Sequence, residues 1–149
     1  MMDRVDLAVG NGREESSVTY PLGREYGVVA DGSSQSYRDL RVWQEGMDLV
    51  ESVYAASSQF PKAERFGLAS QIRRAAVSVP SNIAEGWGRG RTGEYLQFLR
   101  YARASLKEVE TQWLIASRIG YLRADTVEEL DSRAQRLGKM LLALMRALR

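Results

Sequence analysis

Apolar residues recur at steps of three and four in four successive segments, beginning near residue 37 and continuing to the end of the 149-residue chain. This spacing places apolar side chains on one face of an α-helix, and that face has to be buried against other helices. The pattern therefore predicts four helices. Its apolar positions are Leu40, Trp43, Met47, Val50 and Tyr54; Leu68, Ile72, Ala75 or Ala76, Val79 and Ile83; Leu96, Leu99, Ala102, Leu106, Val109, Trp113 and Ala116; and Val127, Leu130, Ala134, Leu137, Leu141, Leu144 and Leu148.

The breaks between these segments are short. The first helix should end near Ser58, because Phe60-Pro61 follows and the residue before a proline disfavours the α conformation. The third should stop at Gly120. The residues expected to end the second helix and form the next turn are Gly86, Gly88, Gly90 and Gly93. Short connections make successive helices antiparallel, so we predict an all-α domain over 37–149, an up-down-up-down four-helix bundle.

The sequence also predicts the N-caps of the third and fourth helices and a distortion within the second. Thr92 is expected to cap the third helix, and Asp125 followed by Glu128 resembles a capping box at the start of the fourth. Pro80 lies inside the apolar register of the second helix, where it removes one hydrogen bond, so we expect a kink between residues 76 and 80. The alternative is a break at Pro80, with Ser81 capping a new short helix.

Residues 1–36 differ in composition from the rest. They contain six glycines or prolines among scattered acids and have no sustained apolar period. A segment with so few apolar residues cannot offset its ordering entropy, so we predict a flexible N-terminal leader. A weak extended patch over 25–30 is the one strand-like signal in it.

The chain contains neither cysteine nor histidine. This excludes thiolate metal sites, cysteine nucleophiles, the usual general base at neutral pH and Ser-His-Asp triads. We therefore expect no enzyme activity, no cofactor and no metal. No apolar run reaches the length of a membrane span, and the N-terminal residues lack a signal-peptide core, so a cytoplasmic protein without membrane contact is expected.

Charge is distributed unevenly along the chain. Residues 1–36 carry a net charge of −3, whereas residues 37–149 carry 18 basic and 13 acidic residues, a net charge of +5. Fifteen of the 18 basic residues are arginines, whose forked guanidinium group suits phosphate. Charge alone is compatible with nucleic-acid contact and equally with the arginine enrichment that GC-rich coding produces.

Several motifs together resemble a known family. They are Leu40-Arg41-Val42-Trp43-Gln44; Phe60-Pro61 with Glu64 and Phe66-Gly67-Leu68; Gln71-Ile72-Arg73-Arg74-Ala75-Ala76; Ser78-Val79-Pro80-Ser81-Asn82-Ile83-Ala84-Glu85-Gly86 with Arg89; Glu94-Tyr95; and Glu108-Val109-Glu110-Thr111-Gln112. They resemble the four-helix bundle proteins encoded by 23S rRNA intervening sequences. The resemblance covers most of 37–122. It departs from the family pattern at Gly46, Ala104 and Trp113.

The resemblance carries expectations of its own. It implies a homo-oligomer, a homopentamer in family members of this type, and a relation to the accessory proteins of diversity-generating retroelements. That branch binds nucleic acid and a reverse transcriptase. RNA or DNA and a reverse transcriptase are therefore the partners that the resemblance implies. Helix two independently favours assembly, since small residues on several of its faces permit close approach on more than one side.

Seven basic residues are the candidate nucleic-acid-binding set: Arg73, Arg74, Arg89, Arg91, Arg100, Arg103 and Lys107. Arg100, Arg103 and Lys107 recur at steps of three and four and should share one face of helix three, which could line a basic surface. The alternative for all seven is an ordinary solvated face with salt bridges, for example from Arg89 to Glu85 or Glu94.

The remaining motif residues are candidate structural or interface positions: Gln71, Pro80, Asn82, Glu85, Gly86, Trp87, Glu94, Glu108 and Glu110. Asn82 is expected to satisfy backbone groups freed by Pro80. Glu85 and Glu108 are expected to pair with arginines inside the bundle or across a subunit boundary. Trp43 and Trp113 should be core, whereas Trp87 is either an interface anchor or a base-stacking platform.

Two functions fit these observations. The first is a non-enzymatic oligomeric protein that binds structured RNA or DNA through an arginine-rich surface. The second is a protein-interaction scaffold for a reverse transcriptase or a ribosome-associated factor. Affinity for RNA that falls steeply with salt would favour the first, and co-purification of one stoichiometric protein after nuclease treatment would favour the second.

Overall fold

The computed structural model describes residues 15–19, 25–29 and 36–149. Four helices dominate it: α1 (Arg41–Ser57), α2 (Leu68–Gly88), α3 (Thr92–Arg118) and α4 (Ala124–Ala147). Short 3-10 helices at Tyr37–Asp39 and Lys62–Glu64 precede α1 and α2. Each helix packs against its neighbour in the chain, and α4 closes the ring against α1. The predicted all-α four-helix bundle is confirmed.

The helices alternate in direction. Trp113 of α3 bonds to Asp131 of α4, whereas Leu106, earlier in α3, faces Gly138, later in α4. Residue numbers thus rise along one helix as they fall along the next, which is the antiparallel arrangement expected from short connections. None of the helices in the described part of the chain is long and apolar enough to cross a membrane.

Two strands lie in the N-terminal segment. Strands β1 (Glu15–Thr19) and β2 (Glu25–Val29) pair antiparallel, with Ser17 opposite Gly27. The extended patch predicted over 25–30 is confirmed as β2, but its partner strand was not predicted. The flexibility predicted for the leader stays a prediction, since the remainder of 1–35 lies outside the described residues.

Helices α2, α3 and α4 bury the stripes that the sequence predicts. Their central members are almost fully inaccessible to solvent, and Trp113, predicted to be core, is completely buried with its indole N–H donated to Asp131 Oδ1 at 2.8 Å. Leu68, Leu96 and Leu148, near the ends of the stripes, are only partly buried. A continuous apolar core of this kind is what holds the four helices together.

The predicted stripe of α1 is only partly confirmed, because Trp43 and Val50 pack against the core without being fully buried and Tyr54 does not belong to it. Trp43, Met47 and Val50 are half-buried and Tyr54 is 45% exposed, whereas Val42, Leu49, Val53 and Ala56 form the buried face. The buried face also contains the polar residues Gln44, Glu45 and Asp48. A prediction based on apolar spacing selects the face with Trp43 and Tyr54, because the buried face includes these polar residues.

Pro80 lies inside one unbroken helix, so the predicted continuity of α2 is confirmed and the alternative break is wrong. A Cβ built on Gly46 of α1 would lie 3.3 Å from the Pro80 Cβ, so α1 and α2 approach closely at these two residues. Asn82 Nδ2 donates to the Ser78 carbonyl at 2.8 Å. The amide therefore bonds a backbone carbonyl before the proline, but not that of Ala76, which is the one that loses its donor.

Helix starts differ from the predictions. Arg91 is the N-cap of α3 and makes no side-chain cap, so Thr92 is the first helical residue. Arg123 is the N-cap of α4, and Asp125 instead accepts from the Thr126 N–H at 2.8 Å. The two predicted caps are therefore wrong by one and by two residues, which is the usual uncertainty of a helix boundary. The predicted stop at Gly120 is confirmed, with φ +85° at that glycine.

Candidate nucleic-acid interface

Arg100, Arg103 and Lys107 lie exposed along α3, and we call them the α3 row. Their steps of three and four place them on one side of the helix. Arg100 donates to Gln97 Oε1 at 3.2 Å, and Lys107 Nζ lies 2.8 Å from Glu110 Oε2. Arg103 forms no ion pair within residues 36–149. The row therefore presents cations that are at most partly neutralised by the protein.

Arg89 and Arg91 flank the turn between α2 and α3. Gly90 between them has φ +72°, a conformation that favours glycine. Arg89 Nη2 lies 3.1 Å from Glu85 Oε1, and its guanidinium carbon lies 4.9 Å from the centre of the Phe98 ring. For Arg89 the alternative expectation, a solvated side chain with a salt bridge to Glu85, is therefore confirmed. Arg91 is exposed, and its guanidinium has no partner in the described part of the chain.

Arg73 and Arg74 point in different directions from the middle of α2. Arg73 donates from Nε to Ser57 Oγ at 2.8 Å, and its guanidinium lies over the Tyr54 ring, 4.8 Å from its centre. These two contacts fix the side chain and leave its Nη groups without a partner among residues 36–149. Arg74 is exposed and forms no ion pair in that range.

Both arginines line an open groove of about 840 Å³ along the outer face of α2, which we call the α2 groove. Its other lining residues are Tyr54, Arg65, Phe66, Ser70, Gln71, Ala75, Val77, Ser78 and Glu108. Phe66 is 88% exposed, and the Arg65 guanidinium lies 5.4 Å from the centre of its ring. The groove thus combines three guanidinium groups, one carboxylate and exposed apolar surface.

The sequence did not predict this groove. Tyr54 was assigned to the core, and Arg65 and Phe66 were not proposed as site residues. Tyr54 belongs to α1, Arg65 and Phe66 to the connection before α2, and Arg73 and Arg74 to α2 itself. No local pattern reports that these residues converge, since the convergence depends on how α1 and α2 pack.

Positive charge is concentrated in the α2–α3 half of the bundle. Residues 73–107 contain seven basic and two acidic residues, a net charge of +5, which equals the net charge of the whole of 37–149. The remaining residues of the domain are neutral in sum. A phosphate backbone approaching this protein would be attracted to the α2–α3 side.

The acidic motif residues lie at the surface. Glu85 pairs with an arginine, as predicted, but the pair is exposed and not inside the bundle. Glu108 lines the α2 groove and accepts from Gln112 Nε2 at 3.4 Å. It forms no ion pair within residues 36–149, so its predicted pairing inside the bundle is wrong, and pairing across a subunit boundary stays a prediction. Glu94 lies exposed in the first turn of α3, where the helix dipole favours an anion.

Gly86 and Trp87 have roles inside the subunit. A Cβ built on Gly86 would lie 2.6 Å from Phe98 Cβ and 3.1 Å from Tyr95 Cδ2, so α2 and α3 approach closely only because this residue is glycine. Trp87 is partly buried, and Tyr37 packs edge-on against it, with ring centres 6.1 Å apart. Tyr37 also contacts Trp43 at 5.4 Å. The interface and base-stacking roles of Trp87 stay predictions.

Two tyrosines have raised pKa values. Burial raises the pKa of Tyr95, whose hydroxyl is buried and finds no hydrogen-bond partner among the described residues. Loss of solvation, followed by the charge of Glu64 and the hydrogen bond to it, raises the pKa of Tyr121, whose hydroxyl donates to Glu64 Oε1 at 3.3 Å. The other Glu64 oxygen accepts from the Leu68 N–H at 2.9 Å and so caps α2.

Within the described residues, no three acidic side chains converge as a metal site. The cationic, partly aromatic surface of α2 and α3 is instead suited to contact with an anionic polymer.

Fold and surface together define a four-helix bundle with one basic side. The model of the family described as 23S rRNA-intervening sequence protein matches residues 38–143. The chain therefore belongs to that family. The match begins at the start of the bundle and ends within α4, so it spans nearly the whole helical domain.

A solved structure supports the same fold. It is a crystal structure of a protein with unknown function from the S23 ribosomal protein family of Bacteroides thetaiotaomicron VPI-5482. It is 18% identical, has a TM-score of 0.63, and the alignment covers 70% of this chain and 98% of that one. No curated protein matches this chain significantly.

Proposed function

We propose that this protein is a non-enzymatic, self-associating protein that binds structured RNA or DNA through the α2–α3 side of the bundle. One observation carries the proposal: the entire net positive charge of the domain is accounted for by residues 73–107. Six of its seven cations are exposed, and several lack an acidic partner within residues 36–149. Arginines held in this way can exchange water for phosphate oxygens without first breaking an ion pair.

A charge-removal experiment tests the proposal. The variant Arg100→Gln, Arg103→Gln, Lys107→Gln removes the α3 row, and we expect its affinity for a structured RNA to fall about tenfold or more. The matched control Lys139→Gln, Arg146→Gln, Arg149→Gln removes the same charge from exposed positions on α4 and just after it. It should change affinity less than threefold. Equal losses in the two variants would contradict a localised binding surface.

Self-association is the second element of the proposal. Exposed apolar residues cluster towards the C-terminal end of α3, where Leu114, Ile115 and Ile119 are all about half exposed. Such residues are candidates for burial between copies, which fits the pentamer that the family resemblance implies. Light scattering should give a mass several times the 16.7 kDa of one chain. A mass of 16.7 kDa would contradict assembly.

The same apolar residues support a second candidate function, a scaffold that binds another protein, such as a reverse transcriptase or a ribosome-associated factor. Copy-to-copy contact and partner contact can use similar surface chemistry. Purification after nuclease treatment separates the two candidates. One stoichiometric protein retained without nucleic acid would favour the scaffold, and loss of all partners with the nucleic acid would favour the first function.

A further inference from the structure

We infer that the α2 groove binds an unpaired segment of nucleic acid, with its arginines on the phosphates and one base stacked on Phe66. This inference rests on the proposed function and specifies the form of the nucleic acid and the residue that meets it. It begins from a residue that the bundle leaves unexplained. Phe66 contributes almost nothing to the core, because 88% of its surface is exposed.

The surroundings of Phe66 determine the chemistry of the partner. Arg65 lies against its ring, and Arg73 and Arg74 line the same groove, whereas Glu108 is the one acidic lining residue. Three guanidinium groups against one carboxylate favour an anionic occupant. A second copy placed there by two-fold symmetry would bring the same three arginines towards each other, which is unfavourable, and a copy placed by cyclic symmetry is distinguished by the light-scattering measurement below.

Exposed aromatic and apolar surface distinguishes among anionic occupants. A phosphate or an acidic peptide would use the arginines and leave the Phe66 ring in water, along with Val77, which is 40% exposed. An unpaired nucleotide supplies both a phosphate and a flat apolar face that stacks on an aromatic ring. Base faces in a duplex are already stacked on each other, so a duplex cannot use the ring.

One arginine is positioned in advance. The Nε of Arg73 is held by Ser57 Oγ and its guanidinium rests on Tyr54, so less side-chain entropy is lost when its Nη groups meet a phosphate. Tyr54 and Phe66 lie on different segments, α1 and the connection before α2. The groove therefore has one fixed cation and one freely accessible ring, an arrangement suited to a flexible strand.

The test measures fluorescence anisotropy of a labelled 12-nucleotide single strand and of a duplex of equal length, using the full chain. Phe66→Ala should weaken single-strand binding about tenfold and leave duplex binding within twofold, because only the unpaired strand can stack. Arg74→Gln should weaken the single strand more than the duplex. The control Ile119→Ala removes an exposed apolar side chain outside the groove and should leave the ratio of single-strand to duplex affinity unchanged.

Several results would overturn the inference. Equal losses for both nucleic acids, or no loss, would show that Phe66 does not stack on a base. A Phe66→Ala protein that becomes smaller in light scattering, with unchanged single-strand affinity, would assign the groove to a second copy. If single-strand binding survives in Phe66→Ala but disappears in the α3-row variant, the proposed function stands and this inference fails. If the wild type binds neither nucleic acid, both fail.

Discussion

The two halves of the bundle handle their polar residues in opposite ways. On the α1–α4 side, the polar groups of α1 face inward: Gln44 donates to the Arg38 carbonyl at 2.9 Å, and Glu45 lies 3.4 Å from Arg136 of α4. On the α2–α3 side, cations such as Arg74 and Arg103 face solvent. Inward polar groups with internal partners hold a structure in register, whereas outward cations without partners are available to a ligand.

The two halves also differ in how tightly their helices pack. Helices α2 and α3 make the most extensive helix–helix contact of the described bundle, and Gly86 sets their separation. Helix α1 contributes fewer apolar side chains to the core and includes polar ones in its buried face. We infer that the α2–α3 pair is the rigid platform for binding and that the α1–α4 side is held by specific polar contacts. The predictions below test this difference.

The largest effect is expected at the α2–α3 contact. In Gly86→Ala the new Cβ would lie 2.6 Å from Phe98 Cβ, so the helices must move apart. We expect the free energy of unfolding to fall by about 2–3 kcal/mol. In the control Gly138→Ala the Cβ meets only Leu106 Cδ2, at 3.8 Å, and replacing a mid-helix glycine should stabilise the protein by about 0.5–1 kcal/mol. Urea denaturation measures both, and equal effects would contradict the close contact.

A smaller effect is expected when the inward ion pair is broken. Glu45 is 8% exposed, so Glu45→Gln leaves Arg136 without its acidic partner and should cost about 1–2 kcal/mol of stability. The loss is moderated because Arg136 is partly exposed and can be hydrated. In the exposed pair, Glu85→Gln should cost less than about 0.5 kcal/mol. Thermal denaturation that ranks the two variants in the reverse order would contradict the assignment of inward and outward roles.

The smallest effect has the opposite sign. Tyr95→Phe removes a buried hydroxyl that has no partner among the described residues, so we expect it to stabilise the protein by about 1 kcal/mol at neutral pH.

The same residue should make stability depend on pH. Burial raises the Tyr95 pKa above its ordinary 10.0, so the folded state keeps the phenol proton at a pH where the unfolded state has lost it. The wild type should therefore lose stability as pH rises above about 10, and Tyr95→Phe should lose less. Urea titrations at pH 8 and pH 10.5 measure this, and identical pH dependence would contradict it.

The sequence predicted three of the four helical stripes because those helices bury faces that are almost entirely apolar. It was only partly right for α1, where Trp43 and Tyr54 mark the more apolar face by composition while Val42 and Leu49 mark the buried one. The buried face tolerates Glu45 because Arg136, distant in sequence, pairs with it. A single-sequence pattern contains no information about such a partner.

The sequence predicted one part of the candidate site, the α3 row, but not the other, the α2 groove. The exposed positions of the α3 row follow from helical spacing and charge, and the sequence predicted them. The α2 groove does not, since it needs Tyr54, Phe66 and Arg73 from three segments to converge. Helical periodicity predicts which face of a helix a residue occupies, but the contacts across helices depend on packing details such as Gly46 against Pro80.

The salt dependence of RNA affinity shows whether the cations of the α2–α3 side contact phosphates. If exposed cations of the α2–α3 side neutralise phosphates, the logarithm of the association constant should fall linearly with the logarithm of salt concentration, and removing the α3 row should reduce the slope by about one for each lost contact. The control with Lys139, Arg146 and Arg149 replaced should keep the wild-type slope. An affinity unchanged by 0.5 M salt, or equal slopes in all three proteins, would contradict the account.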